Sequence, residues 1–329
     1  MKNKNFNVGY FCSTQIGDNI LSLKMLYAIK HLYKAKITVF ITNPYLKNIL
    51  EFNFVDKIEI INEENIIEMI NKYKLDYLIS YISTKHIIKI LKKTNVKNII
   101  IKSKFKTIFC CLKCKVVWIS LLKKIKNENI ENINLYYARK INPEIFDKKI
   151  KSLEFNVTLT TKQSNKDLVN NFLKEYKIKK FITINPFAIS QFNKNSIIFY
   201  LKMIKKILNT KNINIVVPTY DKVHDNFIVQ IQKFDKELLN KIFIFKNDDD
   251  LLNLVEIISK TECLISPSTG TIHIASNLKI PTIGLYTKKD SILWSTYDKN
   301  YVFIDDLNEK NFDEIINQTI IKIEQYIKD

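Results

Sequence analysis

Glycine marks the places in this chain where chemistry could sit. There are four in 329 residues, against an average usage of about 7 %, and ordinary turns here are written with Asn, Asp and Lys. A glycine that persists in such a sequence is expected to meet a need for positive φ or for close backbone approach. Two fall where a β-branched run gives way to a helical pattern: Gly17 in Thr14-Gln15-Ile16-Gly17-Asp18, and Gly270 in Ser266-Pro267-Ser268-Thr269-Gly270-Thr271. At the second of these turns a helix beginning near Thr271 would present free N–H groups and the positive end of its dipole, a setting suited to a diphosphate. Ser268, Thr269 and the Gly270 backbone could donate there, and His273, in the first helical turn, could add a donor. The alternative is an ordinary Ser/Thr cap followed by a surface histidine. Asp18, at the start of a helical run over 19–34, is either a carboxylate that satisfies a helix N-terminus or a general base. A third stretch, Asn185 to Lys194, is a turn that carries Ser190 and Lys194 ahead of a helix opened by Asn195 or Ser196.

These turns need elements to hold them. Apolar β-branched runs predict strands at Val8–Cys12, Ile37–Ile41, Tyr77–Ile82 and Asn98–Ile101 in the first half. In the second half they predict strands at Phe181–Asn185, Ile213–Val217, Ile242–Phe245, Cys263–Ser266 and Thr282–Tyr286. Helical patterns lie between them at 19–34, 64–73, 85–94, 164–177, 195–208, 222–234, 249–260 and 271–278. Continuous apolar strands alternating with helices predict parallel sheets covered on both faces. Gly9 and Gly284 lie inside two of these strands. Pro186, Pro218 and Pro267 each follow an apolar run directly, and proline cannot donate within a ladder, so they mark strand ends. In open parallel sheets, ligands bind beyond such carboxyl ends. The alternation weakens over 120–160, a Lys- and Asn-rich stretch expected to be a linker. The domains are therefore placed at 1–155 and 156–329, with a final amphipathic helix over 311–327 that could pack back on the first.

Charge is uneven. Residues 1–155 hold 28 basic and 13 acidic side chains, a balance of +15, while the rest of the chain adds only +4 to the total of +19. From Tyr77 to Asn127 there is no Asp or Glu, but there are 13 Lys. Lys-, Ile- and Asn-rich codon bias accounts for the excess of lysine but not for its asymmetry. A functional basic face would attract phosphates or an anionic membrane. No aromatic–basic nucleic-acid module accompanies the charge. Cys110, Cys111 and Cys114 cluster without a second pair at ligand spacing, so reduced thiols are expected rather than zinc. The apolar run Thr107–Leu122 is interrupted by Lys113 and Lys115 and is too short to span a bilayer. Val8–Cys12 is too short for a signal-peptide core. The expected location is cytoplasmic, with contact at the inner face of the cytoplasmic membrane.

Three segments together resemble a known family. Ser266-Pro267-Ser268-Thr269-Gly270-Thr271-Ile272-His273-Ile274-Ala275, continuing to Ile280-Pro281-Thr282-Ile283-Gly284-Leu285-Tyr286, is similar to the signature of glycosyltransferase family 9, the lipopolysaccharide heptosyltransferases. Ile16-Gly17-Asp18-Asn19-Ile20-Leu21 resembles that family's N-terminal motif, and Ile184-Asn185-Pro186-Phe187-Ala188 with Lys194 its middle motif. The resemblance implies a GT-B architecture, two Rossmann-like domains with parallel sheets facing a central cleft. It also implies inverting, metal-independent transfer from a nucleotide-sugar, with ADP-heptose or a similar molecule as substrate and no cofactor, to an anionic lipopolysaccharide-core acceptor. By the same resemblance Asp18 is the catalytic base and Gly17 its turn. Ser190, Lys194, Ser268, Thr269, Gly270, Thr271 and His273 fall on donor contacts, and Asp249 falls near the nucleotide pocket. Asp248-Asp249-Asp250 is otherwise a helix N-terminal acidic cap, not a metal motif. Ser268 departs from the pattern, since the family usually has Asp before its Thr-Gly pair. A catalytically silent nucleotide-sugar- or glycan-binding relative is the competing reading, and nucleic-acid binding the third.

Overall fold

The computed structural model describes residues 6–102, 114–118, 128–187 and 197–327. The chain divides into two compact units, Met1–Val157 and Thr158–Asp329. The first contains strands β1 (Asn7–Phe11), β2 (Lys36–Ile41), β3 (Lys57–Ile60), β4 (Tyr77–Ser80), β5 (Asn98–Lys102) and β6 (Cys114–Val117). They pair in parallel in the order β3-β2-β1-β4-β5-β6. The second contains β7 (Phe181–Ile184), β8 (Asn214–Thr219), β9 (Phe243–Lys246), β10 (Leu264–Pro267), β11 (Thr282–Tyr286) and β12 (Tyr301–Phe303). Their order is β12-β11-β10-β7-β8-β9, again all parallel.

Counted within its own unit, each sheet has the doubly wound order 3-2-1-4-5-6. The order reverses between β1 and β4 in the first unit and between β7 and β10 in the second. At such a switch point the connections leave toward opposite faces of the sheet, and a crevice opens beyond the strand ends. The central strands are buried on both faces: β7, β10 and β11 throughout, and β1 from Val8 onward. Each Ile or Phe so buried stabilises the unit by about 1.5–3 kcal/mol relative to exposure.

Several local expectations are corrected. β3 and β12, which no apolar run announces, and β6, inside the apolar run Thr107–Leu122, are edge strands. The run expected to be one helix over 19–34 is two, Ile16–Ile20 and Leu23–Tyr33, divided near Ser22. The stretch expected to be a linker carries helices Ile130–Arg139 and Pro143–Lys149. Asn129 and Asn142 cap them by accepting from Asn132 N and Ile145 N, and Tyr137, Ala138 and Phe146 are buried. The apolar face of the last helix, Phe312–Ile323, is taken up inside the second unit. Phe312, Ile315, Ile316, Ile320 and Ile323 enter that unit's core.

The glycine expectation holds only for close approach. No glycine has positive φ; the left-handed positions are filled by Lys34, Lys74, Lys177, Asp248, Asp249, Lys279 and Lys299. Gly9 and Gly284 are needed for space. A Cβ at Gly284 would lie 2.9 Å from Tyr301 Cδ1 and 3.0 Å from Tyr286 Cδ1. The two rings are stacked at 4.9 Å, and Tyr286 is fully buried, so neither gives way freely. Gly284→Ala is expected to lower unfolding free energy by about 1–3 kcal/mol through overpacking. Chemical denaturation checks this, and an unchanged midpoint would contradict it.

Candidate functional site

At the switch point of the first sheet, the loop after β1 runs through Cys12–Gln15 into the short helix Ile16–Ile20, which carries Asp18 in its first turn. Gln15 makes no side-chain cap, so a carboxylate in the first turn suits the helix end. More than the dipole holds it, however. The Ser13 hydroxyl donates to Asp18 Oδ2 at 2.7 Å, and the Tyr81 hydroxyl donates to Oδ1 at 3.0 Å. Tyr81 stands directly after β4, and its N–H bonds the Phe11 carbonyl at 3.0 Å, so the β1–β4 ladder brings the phenol to the acid. The backbone is fixed as well. Asn19 Nδ2 donates to the carbonyls of Ser13 and Gln15, both at 2.8 Å, and Ser22 Oγ donates to the Asp18 carbonyl at 2.8 Å. Behind this lie Tyr10, bonded to Ser22, and Asn134, which donates to the Leu21 carbonyl. Burial pushes the hydroxyls of Tyr10, Tyr81 and Tyr137 well above the usual phenol range, with the Asp18 charge reinforcing the shift. They remain protonated donors at any working pH.

At the switch point of the second sheet, β10 ends at Pro267, and Ser268 and Thr269 lead into the helix Gly270–Leu278. Thr269 is the N-cap, extended at φ −136° and ψ 174°, yet its side chain makes no capping bond. Its hydroxyl is engaged elsewhere: Asn185 Nδ2, just past β7, donates to Thr269 Oγ1 at 3.1 Å and to Ser266 Oγ at 3.1 Å, and the two hydroxyls are 3.1 Å apart. A cap hydroxyl normally accepts from one of the first helical N–H groups. Here the Thr269 side chain turns away and caps none of them, so the positive dipole end is not met by its own N-cap hydroxyl. Ser268 bonds the Tyr286 hydroxyl, which in turn donates to the Trp294 carbonyl at 3.1 Å. His273 is buried, not a surface residue, near Trp294 with ring centroids 6.1 Å apart. Its Nδ1 is buried without a partner among the described residues. Burial pushes its imidazole down to about 4, so it is neutral near pH 7 and offers at most one N–H.

The second sheet's carboxyl edge therefore gathers Ser268, Thr269, Gly270, Thr271 and His273 on one turn. Asp249 lies on the same edge beyond β9, three strand positions from β10, or roughly 14 Å at about 4.8 Å per strand. It sits in left-handed backbone and accepts from Asp221 N at 3.2 Å, while Asp250 alone caps the helix Leu251–Ser259. Gly17 and Asp18 belong to the first unit. Ser190 and Lys194 lie outside the described residues. Sequence reasoning gave no role to Ser13, Tyr81 and Asn185. Asn185 was legible as a polar residue at a strand end beside Pro186. Tyr81 was hidden because an aromatic at the end of an apolar run reads as more strand.

The family model for glycosyltransferase family 9 (heptosyltransferase) matches residues 116–321. No curated protein sequence matches the chain. Among solved structures, a family 9 glycosyl transferase from Veillonella parvula DSM 2008 superposes with a TM-score of 0.72 at 13 % identity, over 100 % of this chain and 92 % of that one. The E. coli ADP-heptose lps heptosyltransferase II gives 0.70 at 12 %, over 97 % and 99 %. E. coli heptosyltransferase WaaC with ADP gives 0.62 at 12 %, over 98 % and 100 %. At these identities the likeness speaks for the fold, which is α/β of the GT-B class.

The state of His273 has a thermodynamic consequence. Its folded value lies below the ordinary histidine value, so the unfolded chain binds the extra proton first. This contribution is complete above about pH 6.5 and is lost as pH falls toward about 4, amounting to about 3 kcal/mol at most. His273→Gln is expected to flatten stability over that acid window in urea titrations. An imidazole resonance of His273 titrating near 6.5 in the folded protein would contradict the assignment.

Proposed function

The chain belongs to glycosyltransferase family 9, and we propose that it moves a heptose or related sugar from a nucleotide-diphosphate donor to an anionic lipopolysaccharide-core acceptor, with inversion and without a metal. The observation that carries this reading is the uncapped helix N-terminus at Gly270, set at the switch point of the second sheet inside the family match. E. coli WaaC, of the same fold, has been solved with ADP and with ADP-2-deoxy-2-fluoro heptose. A nucleoside diphosphate is the ligand that such a terminus suits.

In the proposed reaction an acceptor hydroxyl attacks the anomeric carbon from the face opposite the diphosphate. The C–O bond to the acceptor forms as the bond to phosphate breaks, and Asp18 takes the hydroxyl proton. The departing diphosphate gains negative charge. The N–H groups of the Gly270 turn, the Thr271 side chain and Lys194 are the groups assigned to stabilise it, in the role a metal fills elsewhere. His273, being neutral, contributes an N–H and no charge. Ser268 can bond a donor-sugar hydroxyl or orient through Tyr286, but without the charge a carboxylate would bring. Donor selection therefore rests more on shape than on a charged contact. Asp249 is assigned to the nucleoside end of the same sheet edge.

Asp18→Asn is expected to lower kcat by roughly two to four decades while donor affinity stays near that of the parent. Thr271→Val and Lys194→Ala should each weaken nucleotide diphosphate binding by about 1–3 kcal/mol. Turnover of the parent enzyme should survive excess EDTA. Calorimetry with nucleoside diphosphates and a transfer assay test these together. Wild-type turnover in Asp18→Asn would refute the base. Donor binding without turnover in the parent would favour the silent relative.

The acceptor side is assigned to the first unit's basic excess. On the helix Lys85–Lys92 and after it, Lys85, Lys89, Lys93 and Lys97 are exposed, while Ile88 and Leu91 are buried. No helix among the described residues is long and apolar enough to cross a membrane, so any membrane contact would be peripheral. Of the run Thr107–Leu122, Cys114–Val117 is the edge strand β6 and Trp118 is 44 % exposed; the remainder lies outside the described residues. Each lysine near an anionic surface contributes about 1 kcal/mol, fading within a Debye length. Sedimentation with anionic vesicles at low salt should capture the protein, zwitterionic vesicles should not, and changing these four lysines to Gln should weaken capture. Indifference to anionic vesicles would remove the membrane contact.

A further inference from the structure

Two phenols face Asp18 from different elements, and they stand in different relations to it. Tyr81, at the end of β4, donates to Asp18 Oδ1 at 3.0 Å. Tyr137, on the helix Ile130–Arg139, is fully buried, senses the same charge, and makes no hydrogen bond through its hydroxyl among the described residues. With Ser13 donating to Oδ2 at 2.7 Å, both carboxylate oxygens have one lone pair occupied by a hydroxyl. A carboxylate free to rotate about its Cβ–Cγ bond would present its remaining lone pairs in many directions. A carboxylate held at both oxygens presents them in one. Neither hydroxyl belongs to the Gly17-Asp18 motif. Ser13 reaches across the loop in which it stands, and Tyr81 arrives through the β1–β4 pairing, 63 residues away in sequence.

We propose that Tyr81 is a positioning residue for this transferase, fixing the Asp18 carboxylate, together with Ser13, in the orientation from which it accepts the acceptor's proton. The inference rests on Asp18 being the base. Tyr81 itself moves no proton. Its role is geometric and electrostatic, since a hydroxyl that donates to a carboxylate orients it and favours its ionised form. Among the described residues, the titratable groups that sense Asp18 are Tyr10 from β1, Tyr81 directly after β4 and Tyr137 from the helix Ile130–Arg139, with Cys12 acting on Tyr10. Burial raises all four, so none loses a proton near neutral pH and the acid limb of the rate profile is not theirs. Tyr137, with its hydroxyl unbonded, is the internal control: it has the same ring and the same charged neighbour but no contact to the carboxylate oxygens.

The experiment compares Tyr81→Phe, Tyr137→Phe and Asp18→Asn in a transfer assay across pH, with donor affinity and thermal stability measured beside it. Tyr81→Phe is expected to lower kcat about tenfold to a hundredfold, the usual cost of a misplaced catalytic group. Donor affinity should be unchanged, and the acid limb of the kcat profile should move to higher pH. Tyr137→Phe should leave both kcat and the acid limb in place. In the Asp18→Asn background, Tyr81→Phe should cost nothing further, because there is no carboxylate to position. If Asp18→Asn abolishes turnover while Tyr81→Phe leaves kcat and its pH profile as in the parent, the positioning role is wrong and the base assignment stands. If Asp18→Asn turns over normally, the base assignment fails first. Equal losses in Tyr81→Phe and Tyr137→Phe, with lowered melting temperatures and no shift of the acid limb, would reduce Tyr81 to a packing residue.

Discussion

Parallel pairing at the centre of each sheet, β1 with β4 and β7 with β10, is the constraint from which the functional geometry follows. Parallel ladders bond every strand end in the same direction, so all carboxyl ends of a sheet lie on one edge. Where the strand order reverses, the outgoing loops diverge and cannot cover each other's backbone. In the first unit the pairing delivers Ser13, Asp18 and Tyr81 to one place. In the second it delivers Asn185 to Ser266 and Thr269. The same architectural rule thus produces an acid held by hydroxyls in one unit and a helix N-terminus not capped by its own N-cap side chain in the other.

The two switch points treat their helix ends in opposite ways. In the first unit the short helix Ile16–Ile20 already has an anion of its own, Asp18, near its start. In the second the corresponding end has no carboxylate, and the one side chain placed to cap it is diverted. Asn185 is the cause: its amide is a donor, so it draws the Thr269 and Ser266 oxygens toward itself and away from the helix N–H groups. A buried amide must find acceptors, and the Thr269 hydroxyl that satisfies Asn185 makes no capping bond to its own helix. The neutral state of His273 is consistent with this division. Burial keeps the His273 imidazole uncharged beside the turn.

Lysine-rich composition shapes the structure less than its abundance suggests. Lysines and aspartates take the left-handed positions at several helix ends and turns, at Lys34 and Lys279 among others, where many proteins place glycine. Each such residue carries a conformational cost that glycine would avoid. The four glycines are retained elsewhere. Gly9 and Gly284 sit where interior side chains leave no room for a Cβ, and Gly17 and Gly270 lie in the helices that open at the two switch points.

The sequence by itself determined the central strands and most of the helices, because strands buried on both faces are continuous apolar runs and helices bear a periodic face. It determined the turns at Gly17-Asp18 and Ser268–His273 for the same reason: a strand signal, a polar turn and a helix signal stand in a row. It did not disclose β3 and β12. An edge strand has one neighbour and a partly wet surface, so Lys57–Ile60 and Tyr301–Phe303 mix charged, polar and apolar residues without a run to recognise. The helices Ile130–Arg139 and Pro143–Lys149 were masked by their Lys- and Asn-rich context, although asparagine is there as the cap. Tertiary structure alone decided what surrounds the site residues. That Tyr81 reaches Asp18, that Asn185 diverts the Thr269 hydroxyl, and that His273 is buried and neutral depend on which strands become neighbours. Strand pairing joins residues dozens of positions apart through backbone hydrogen bonds that every amino acid but proline can make, and so leaves no local mark on the side chains it brings together.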